Sequence, residues 1–103
     1  MALVLIVDDS PTDVHVMQKA LEQGGFRTAL AADGGEGIRK ARELHPDLIL
    51  MDIVMPGLNG FQATRQLTRD TATAAIPVVM LTAKSQEADR IWGERQGARG
   101  YLV

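Results

Sequence analysis

Three short, uninterrupted apolar runs constrain the fold of this chain more than any other feature. They read LVLIV (residues 3–7), LILM (48–51) and IPVVML (76–81). None of them alternates apolar and polar residues, so each is typical of a strand covered on both faces, as in a parallel sheet. Two weaker runs of similar length, RTALA (27–31) and GYLV (100–103), predict two further strands.

The segments between these runs have helical spacing and recognisable N-terminal caps. The predicted N-caps are Ser10, Asp33, Asn59 and Ser85. Pro11 suits the first position of the first helix, and Glu36 and Gln62 follow the second and third caps at capping-box spacing. Strands that alternate with single helices predict right-handed crossovers and one parallel α/β sheet. We expect an open, doubly wound sheet, because five strands are too few to close into a barrel.

Length and charge exclude several classes of protein. The chain has 103 residues, enough for one small domain, and 11 basic and 13 acidic residues give a formal net charge of −2. It contains no basic run, so we expect no direct nucleic-acid partner. The longest apolar run, Ala2–Val7, is far too short for membrane insertion. Together with the absence of cysteine, these features predict a cytoplasmic protein.

Polar side chains follow each of the three strong runs. Asp8 and Asp9 follow the first run, Asp52 follows the second, and Thr82 and Ala83 follow the third. Because the C-terminal ends of parallel strands share one edge of a sheet, we expect these side chains to lie close together. A simpler interpretation is that each acid caps the helix after its strand. That interpretation explains the three acids together less well, and Asp52 least of all, because the next helix is predicted to begin only near Asn59.

Carboxylates brought together in this way need a proton or a cation. Two of them about 4 Å apart repel by roughly 4 kcal/mol at an effective dielectric constant near 20. Hard oxygen ligands on a compact edge suit Mg²⁺, which leaves coordination positions for phosphate oxygens. A carboxylate beside that metal can attack a phosphoryl group and form an acyl phosphate.

Four motifs together resemble a known family. In chain order they are VDDS, LMDIVMPGLNG, MLTAK and GARGYLV, and the set resembles the receiver domain of two-component response regulators over essentially the whole chain, residues 1–103. The resemblance implies a flavodoxin-like α/β fold with five parallel strands in the order 2-1-3-4-5. Within the family, MPGLNGFQATRQLT and IWGERQGARGYL are most similar to stand-alone regulators of chemosensory systems that control type IV pili and twitching motility.

The resemblance also implies a role for each acid. Asp52 would accept a phosphoryl group from a sensor histidine kinase or its phosphotransfer domain. Asp8, Asp9, Asp52 and the backbone carbonyl of Val54 would bind Mg²⁺. The chain would then catalyse only its own phosphorylation and dephosphorylation, and would not be an enzyme in the ordinary sense.

Further residues match the switch of the family and its partner surface. Thr82 would contact the phosphoryl oxygens, small Ala83 would leave access to them, and Tyr101 would report the change at the surface of helix 4 and strand 5. A downstream target protein would read that surface. Lys84 and Trp92 are candidates for the same surface, although a solvated helix start and packing, respectively, are simpler interpretations.

The sequence departs from the family pattern at its end. Receivers normally continue with a Lys-Pro pair and a fifth helix, and this chain ends at Val103. We therefore expect a truncated receiver with an apolar surface that can recruit a second copy and form a homodimer. Two alternatives stay open at this point, namely a protein-interaction module that does not depend on phosphorylation and a Mg²⁺-dependent aspartyl-phosphate phosphatase.

Overall fold

The computed structural model describes residues 1–81, 95 and 97–102, with residues 101 and 102 described by their backbone. The strands are β1 (Leu3–Val7), β2 (Arg27–Ala31), β3 (Leu48–Asp52), β4 (Val78–Leu81) and β5 (Gly100–Leu102). The helices are α1 (Pro11–Gln23), α2 (Gly34–Leu44) and α3 (Gly60–Arg69). The helix predicted to begin at Ser85 falls outside the described residues.

All strand pairs are parallel, and the order along the sheet is β2-β1-β3-β4, with β5 next to β4. The predicted parallel α/β sheet and the order of its first four strands are therefore confirmed. β4 is shorter than the predicted run 76–81, because the Ile76 N–H donates to the carbonyl of Thr73 in the preceding turn and Pro77 has no N–H to donate.

The predicted helix starts at Ser10, Asp33 and Asn59 are confirmed. In α3 the box is reciprocal: Asn59 Oδ1 accepts from the Gln62 N–H at 2.9 Å, and Gln62 Oε1 accepts from the Asn59 N–H at 3.0 Å. At α2 the predicted box is only half present. Asp33 accepts from the Glu36 N–H, but the Glu36 carboxylate accepts from the N–H of Ala32, one residue before the cap.

The sheet separates two apolar clusters, which explains why the strands are apolar throughout. Successive strand residues point to opposite faces, so an unbroken apolar run supplies both clusters. On one face, Leu5, Ile49 and Met51 are buried against residues of α2 and α3. On the other face, β1 and β3 residues pack against partly buried side chains of α1, namely Val14, Met17 and Leu21.

None of the helices in the described ranges combines the length and the apolar character that a membrane span requires.

Candidate functional site

Strands β1 and β3 deliver acidic residues to the same edge of the sheet. The two strands are neighbours in parallel register, and Val7 is paired with Met51. The residues that follow this pair, Asp8 and Asp52, must therefore emerge side by side. Asp9 comes next after Asp8, in the connection to α1. The sheet order thus creates the acidic edge that the sequence predicted.

One oxygen from each carboxylate of Asp8, Asp9 and Asp52 lies within 4.8 Å of the others. Asp8 is 7% exposed, Asp52 is partly buried and Asp9 is exposed. The exposure of the three acids therefore increases from Asp8 to Asp9, and the site opens to solvent at Asp9. We call this set the acidic cluster.

Backbone hydrogen bonds fix Asp8 in the acidic cluster. The Asp8 N–H donates to the carbonyl of Ala31 at 3.0 Å, which continues the pairing of β1 with β2 beyond the strand end. Its carboxylate Oδ1 accepts from the Ser10 N–H at 2.9 Å. Ser10 also caps α1. The turn that starts the first helix therefore also orients the first carboxylate.

The backbone after Asp52 is held by the next strand and the next helix. The Ile53 N–H donates to the carbonyl of Leu81 in β4 at 3.2 Å. The Ile53 carbonyl accepts from the N–H of Gly60, the first residue of α3, at 3.0 Å. Asp52 thus belongs to a well-anchored strand end, although the loop that follows it carries Val54, which is 80% exposed.

The cluster raises the pKa of two of its members. Burial raises the pKa of Asp52 to about 6, and the neighbouring charges of Asp8 and Asp9 act in the same direction, against the N–H groups of Val54 and Ile53. Burial also raises the pKa of Asp8, opposed by the N–H of Ser10. Both carboxylates are therefore costly to ionise together, and a cation would relieve that cost.

The donor set fits Mg²⁺. Three carboxylates are hard oxygen ligands of the kind that Mg²⁺ takes, and one oxygen of each lies within 4.8 Å of the others. The exposed position of Asp9 would leave room for water on a bound ion. The Val54 N–H faces the Asp52 carboxylate, so the backbone of this residue is close to the site.

A cavity of about 500 Å³ opens beside the cluster, between α1 and the β2–α2 connection. Asp8 and Asp9 line its edge, and His15 and Gln18 of α1 line one wall. His15 lines this cavity but is not a member of the acidic cluster. At a helical spacing of four residues, His15 lies one turn after Pro11 on the side of α1 that faces the cavity.

Several predicted site residues fall outside the described part of the chain. These are Thr82, Ala83, Lys84 and Trp92. The strand that leads to Thr82 is described, and its last residue, Leu81, is paired with Asp52. The backbone of Tyr101 lies in β5, paired with Met80.

The sequence missed two contributors to the site. Ser10 was predicted only as a helix cap, and Gly60 was given no role in the site, yet both contact the backbone or carboxylate of a cluster residue. For Ser10 a signal was available, because an Asp two residues before a cap can accept from its N–H. No local pattern reveals the contact of Gly60.

This fold and this acidic edge define a known class of signalling protein. Residues 4–103 match the family model described as the response regulator receiver domain. The chain therefore belongs to the response regulator receiver family, and the family predicted from the four motifs is confirmed.

Named relatives carry the comparison further. The chain is 59% identical to Protein PilH of Pseudomonas aeruginosa over all 103 residues, which cover 85% of that protein. It also matches DNA-binding response regulators, of whose length it spans 42% to 43%.

Solved structures show the same architecture. The chemotaxis protein CheY4 of Vibrio cholerae superposes with a TM-score of 0.94 at 33% identity, over 100% of this chain and 86% of that one. The receiver domain of the sensor histidine kinase PA1611 of Pseudomonas aeruginosa gives a TM-score of 0.90 at 33% identity, over 99% and 84% of the two chains. That structure contains a magnesium ion coordinated in the active-site cleft.

Proposed function

We propose that this chain is a phosphoacceptor signalling module that takes a phosphoryl group onto Asp52. One observation carries the proposal, namely that carboxylate oxygens of Asp8, Asp9 and Asp52 lie within 4.8 Å of one another at the C-terminal edge of the sheet. Membership of the receiver family supports the same role. Capping of the following helices does not account for this convergence, because α3 is capped by Asn59.

Mg²⁺ is the proposed cofactor. Its ligands would be the carboxylates of Asp8, Asp9 and Asp52 and the backbone carbonyl of Val54. The oxygen-only donor set and the pKa of about 6 at Asp52 support a divalent cation here, as does the magnesium ion in the PA1611 receiver domain. When bound, Mg²⁺ would neutralise charge on the cluster and on the oxygens of the transferred group.

The proposed transfer is a single displacement at phosphorus. A carboxylate oxygen of Asp52 forms a bond to phosphorus, and the bond from phosphorus to the donor's nitrogen or oxygen breaks. The donor leaves with that electron pair, and Asp52 becomes an acyl phosphate. Water later attacks phosphorus, which releases inorganic phosphate and restores the carboxylate. Asp8 and Asp9 would hold the ion and would stay unmodified.

The donor would be a sensor histidine kinase or its phosphotransfer domain, and the output would pass to a target protein. Thr82 and Ala83 would lie beside the phosphoryl group, because they follow Leu81, which is paired with Asp52. Tyr101 would lie at the helix 4–strand 5 surface, because its backbone belongs to β5. The full order of five strands, 2-1-3-4-5, is also part of the proposal. The motif resemblance and the identity to PilH support a regulator of a pilus chemosensory system.

Acetyl phosphate provides the test. The purified chain is incubated with Mg²⁺ and acetyl phosphate, and phosphorylated protein is measured by intact mass, with Asp52→Asn as the variant that lacks the acceptor. Asp13→Asn is the matched control, because Asp13 lies in the first turn of α1 and influences the pKa of Asp8 without belonging to the cluster.

We expect labelling of the native chain and of Asp13→Asn, and none of Asp52→Asn. A folded native chain that stays unlabelled would contradict the proposal and favour an interaction module. Continuous release of phosphate from acetyl phosphate, without a labelled species, would favour a phosphatase.

A further inference from the structure

The peptide that joins Asp52 to Ile53 is in contact with the first residue of α3. Gly60 is buried there, and its N–H donates to the Ile53 carbonyl at 3.0 Å. On the opposite side the Ile53 N–H donates to Leu81 at 3.2 Å. The backbone that carries the proposed phosphoacceptor is therefore held between β4 and the start of α3.

Gly60 leaves no space for a side chain. A methyl carbon at this position would overlap the carbonyl oxygen of Asp52, and it would lie 2.8 Å from the carbonyl carbon of Asp52 and 2.8 Å from Cα of Ile53. Those atoms belong to the backbone, so they cannot move aside as the end of a flexible side chain can. Gly57 has a positive φ of 72°, whereas Gly60 does not adopt a left-handed conformation. Space, and not backbone conformation, requires glycine at this position.

We infer that Gly60 is a positioning residue for the phosphoacceptor. Its contact with the Asp52–Ile53 peptide fixes where the Asp52 carboxylate and the Val54 backbone lie relative to Asp8 and Asp9. This inference rests on the proposed function of Asp52. The reciprocal capping box of Asn59 and Gln62 fixes the start of α3 and thus the place of Gly60.

A second buried glycine provides a demanding control. A methyl carbon at Gly37 of α2 would lie 2.8 Å and 3.0 Å from the two methyl groups of Val7. Val7 directly precedes Asp8, so Gly37 is also close to the site. Its neighbours are side-chain atoms in the apolar core, however, and not the backbone of a cluster residue. Gly37→Ala therefore reproduces crowding near the cluster without pushing on an acidic residue's peptide.

The test compares Gly60→Ala with Gly37→Ala in the full chain. Mg²⁺ affinity is measured by calorimetry, and the rate of labelling by acetyl phosphate is measured by intact mass. We expect Gly60→Ala to weaken Mg²⁺ binding and to slow labelling by about tenfold to a hundredfold. Gly37→Ala is expected to stay within about twofold of the native chain in both quantities once the unfolded fraction is subtracted. Equal losses in the two variants would overturn the inference.

Failure of this inference is separable from failure of the proposed function. If the native chain is not phosphorylated and does not bind Mg²⁺, the proposed function is wrong. The amide NMR spectrum of the metal-free protein then decides the role of Gly60. The Ile53 and Val54 amide resonances shift in Gly60→Ala and not in Gly37→Ala if Gly60 positions this backbone. Unshifted resonances would overturn that role.

A measurement on the native chain covers the case in which Gly60→Ala does not fold. Titration with Mg²⁺ is followed through the amide resonances of Gly60 and Gly37. The Gly60 N–H donates to the Ile53 carbonyl, so its resonance is expected to shift as the ion binds, while that of Gly37 stays unchanged. A Gly60 resonance that does not respond to Mg²⁺ would contradict the positioning role.

Discussion

Asp52 is the residue at which stability and proposed chemistry oppose each other. Burial and the charges of Asp8 and Asp9 raise its pKa to about 6, so its ionised form is disfavoured in the folded chain. That ionised form is also the nucleophile that phosphoryl transfer requires. A bound cation resolves the conflict, because it favours the carboxylate that the protein alone disfavours.

Removing this charge is expected to stabilise the metal-free protein at neutral pH. The pKa of Asp52 rises from 3.8 to about 6 on folding, so the folded chain binds more protons in this interval, and stability falls as the pH rises through it. We expect Asp52→Asn to raise the free energy of unfolding by on the order of 1 kcal/mol at about pH 7, allowing for solvent screening. The gain should become small near pH 3.5, where Asp52 is mostly protonated in both states.

Urea unfolding in EDTA at the two pH values measures this difference. Glu43→Gln is the control for loss of one negative charge, because Glu43 of α2 is exposed. A gain of equal size in Glu43→Gln would show that net charge, and not the acidic cluster, is responsible.

At the scale of elements, the helix starts do more than begin helices. The turn at Ser10 orients Asp8, and the turn at Asn59 places Gly60 against the Asp52–Ile53 peptide. The strand ends supply the acids, and the helix starts form hydrogen bonds with the Asp8 carboxylate and with the backbone that follows Asp52. Local stability at these caps is therefore tied to the geometry of the site.

Loss of the α3 cap is expected to destabilise the fold and loosen the site. Asn59→Ala removes the acceptor for the Gln62 N–H and should cost about 1 kcal/mol in the free energy of unfolding. Asn59→Ser retains an acceptor and should remain close to the native chain. Thermal unfolding of both variants checks this, and equal melting temperatures would mean that the cap contributes nothing.

At the scale of the molecule, the strands and helix starts were predictable because they depend on local patterns. LVLIV and RTALA form β1 and β2 with unchanged bounds. Leu44 follows Ile38 and Ala41 at helical spacing, which predicts a buried position on α2. It is 44% exposed, since it is the last residue before the left-handed turn at His45. Helical spacing of apolar residues does not predict at which residue a helix ceases to be buried against the sheet.

The acidic cluster was predictable as a meeting of residues but not as a geometry. Sheet topology places the ends of β1 and β3 at one edge, which the strand pattern contains. The separation of the carboxylate oxygens and the close contact of Gly60 with the Asp52 backbone depend on how α3 packs on the sheet. The local sequence around these residues does not predict such contacts.

Metal binding is expected to stabilise the whole domain, because an unfolded chain separates the ligands. Free Mg²⁺ at a hundred times its dissociation constant should add roughly 2.7 kcal/mol to the free energy of unfolding. Asp9→Asn should lose most of this gain and change the metal-free stability little, since Asp9 is exposed. Melting temperatures across a Mg²⁺ titration, with NaCl at equal ionic strength as the control, measure both effects. An equal response to NaCl would contradict a specific site.

The pairing of Val7 with Met51 limits how this chain can be re-engineered. Replacing one apolar residue of β3 by another leaves Asp52 in its position. Inserting or deleting a single residue between Leu48 and Met51 would rotate every later side chain of that strand to the other side of the sheet. The apolar residues of β3 can therefore be exchanged for one another, but the number of residues in the strand must stay fixed.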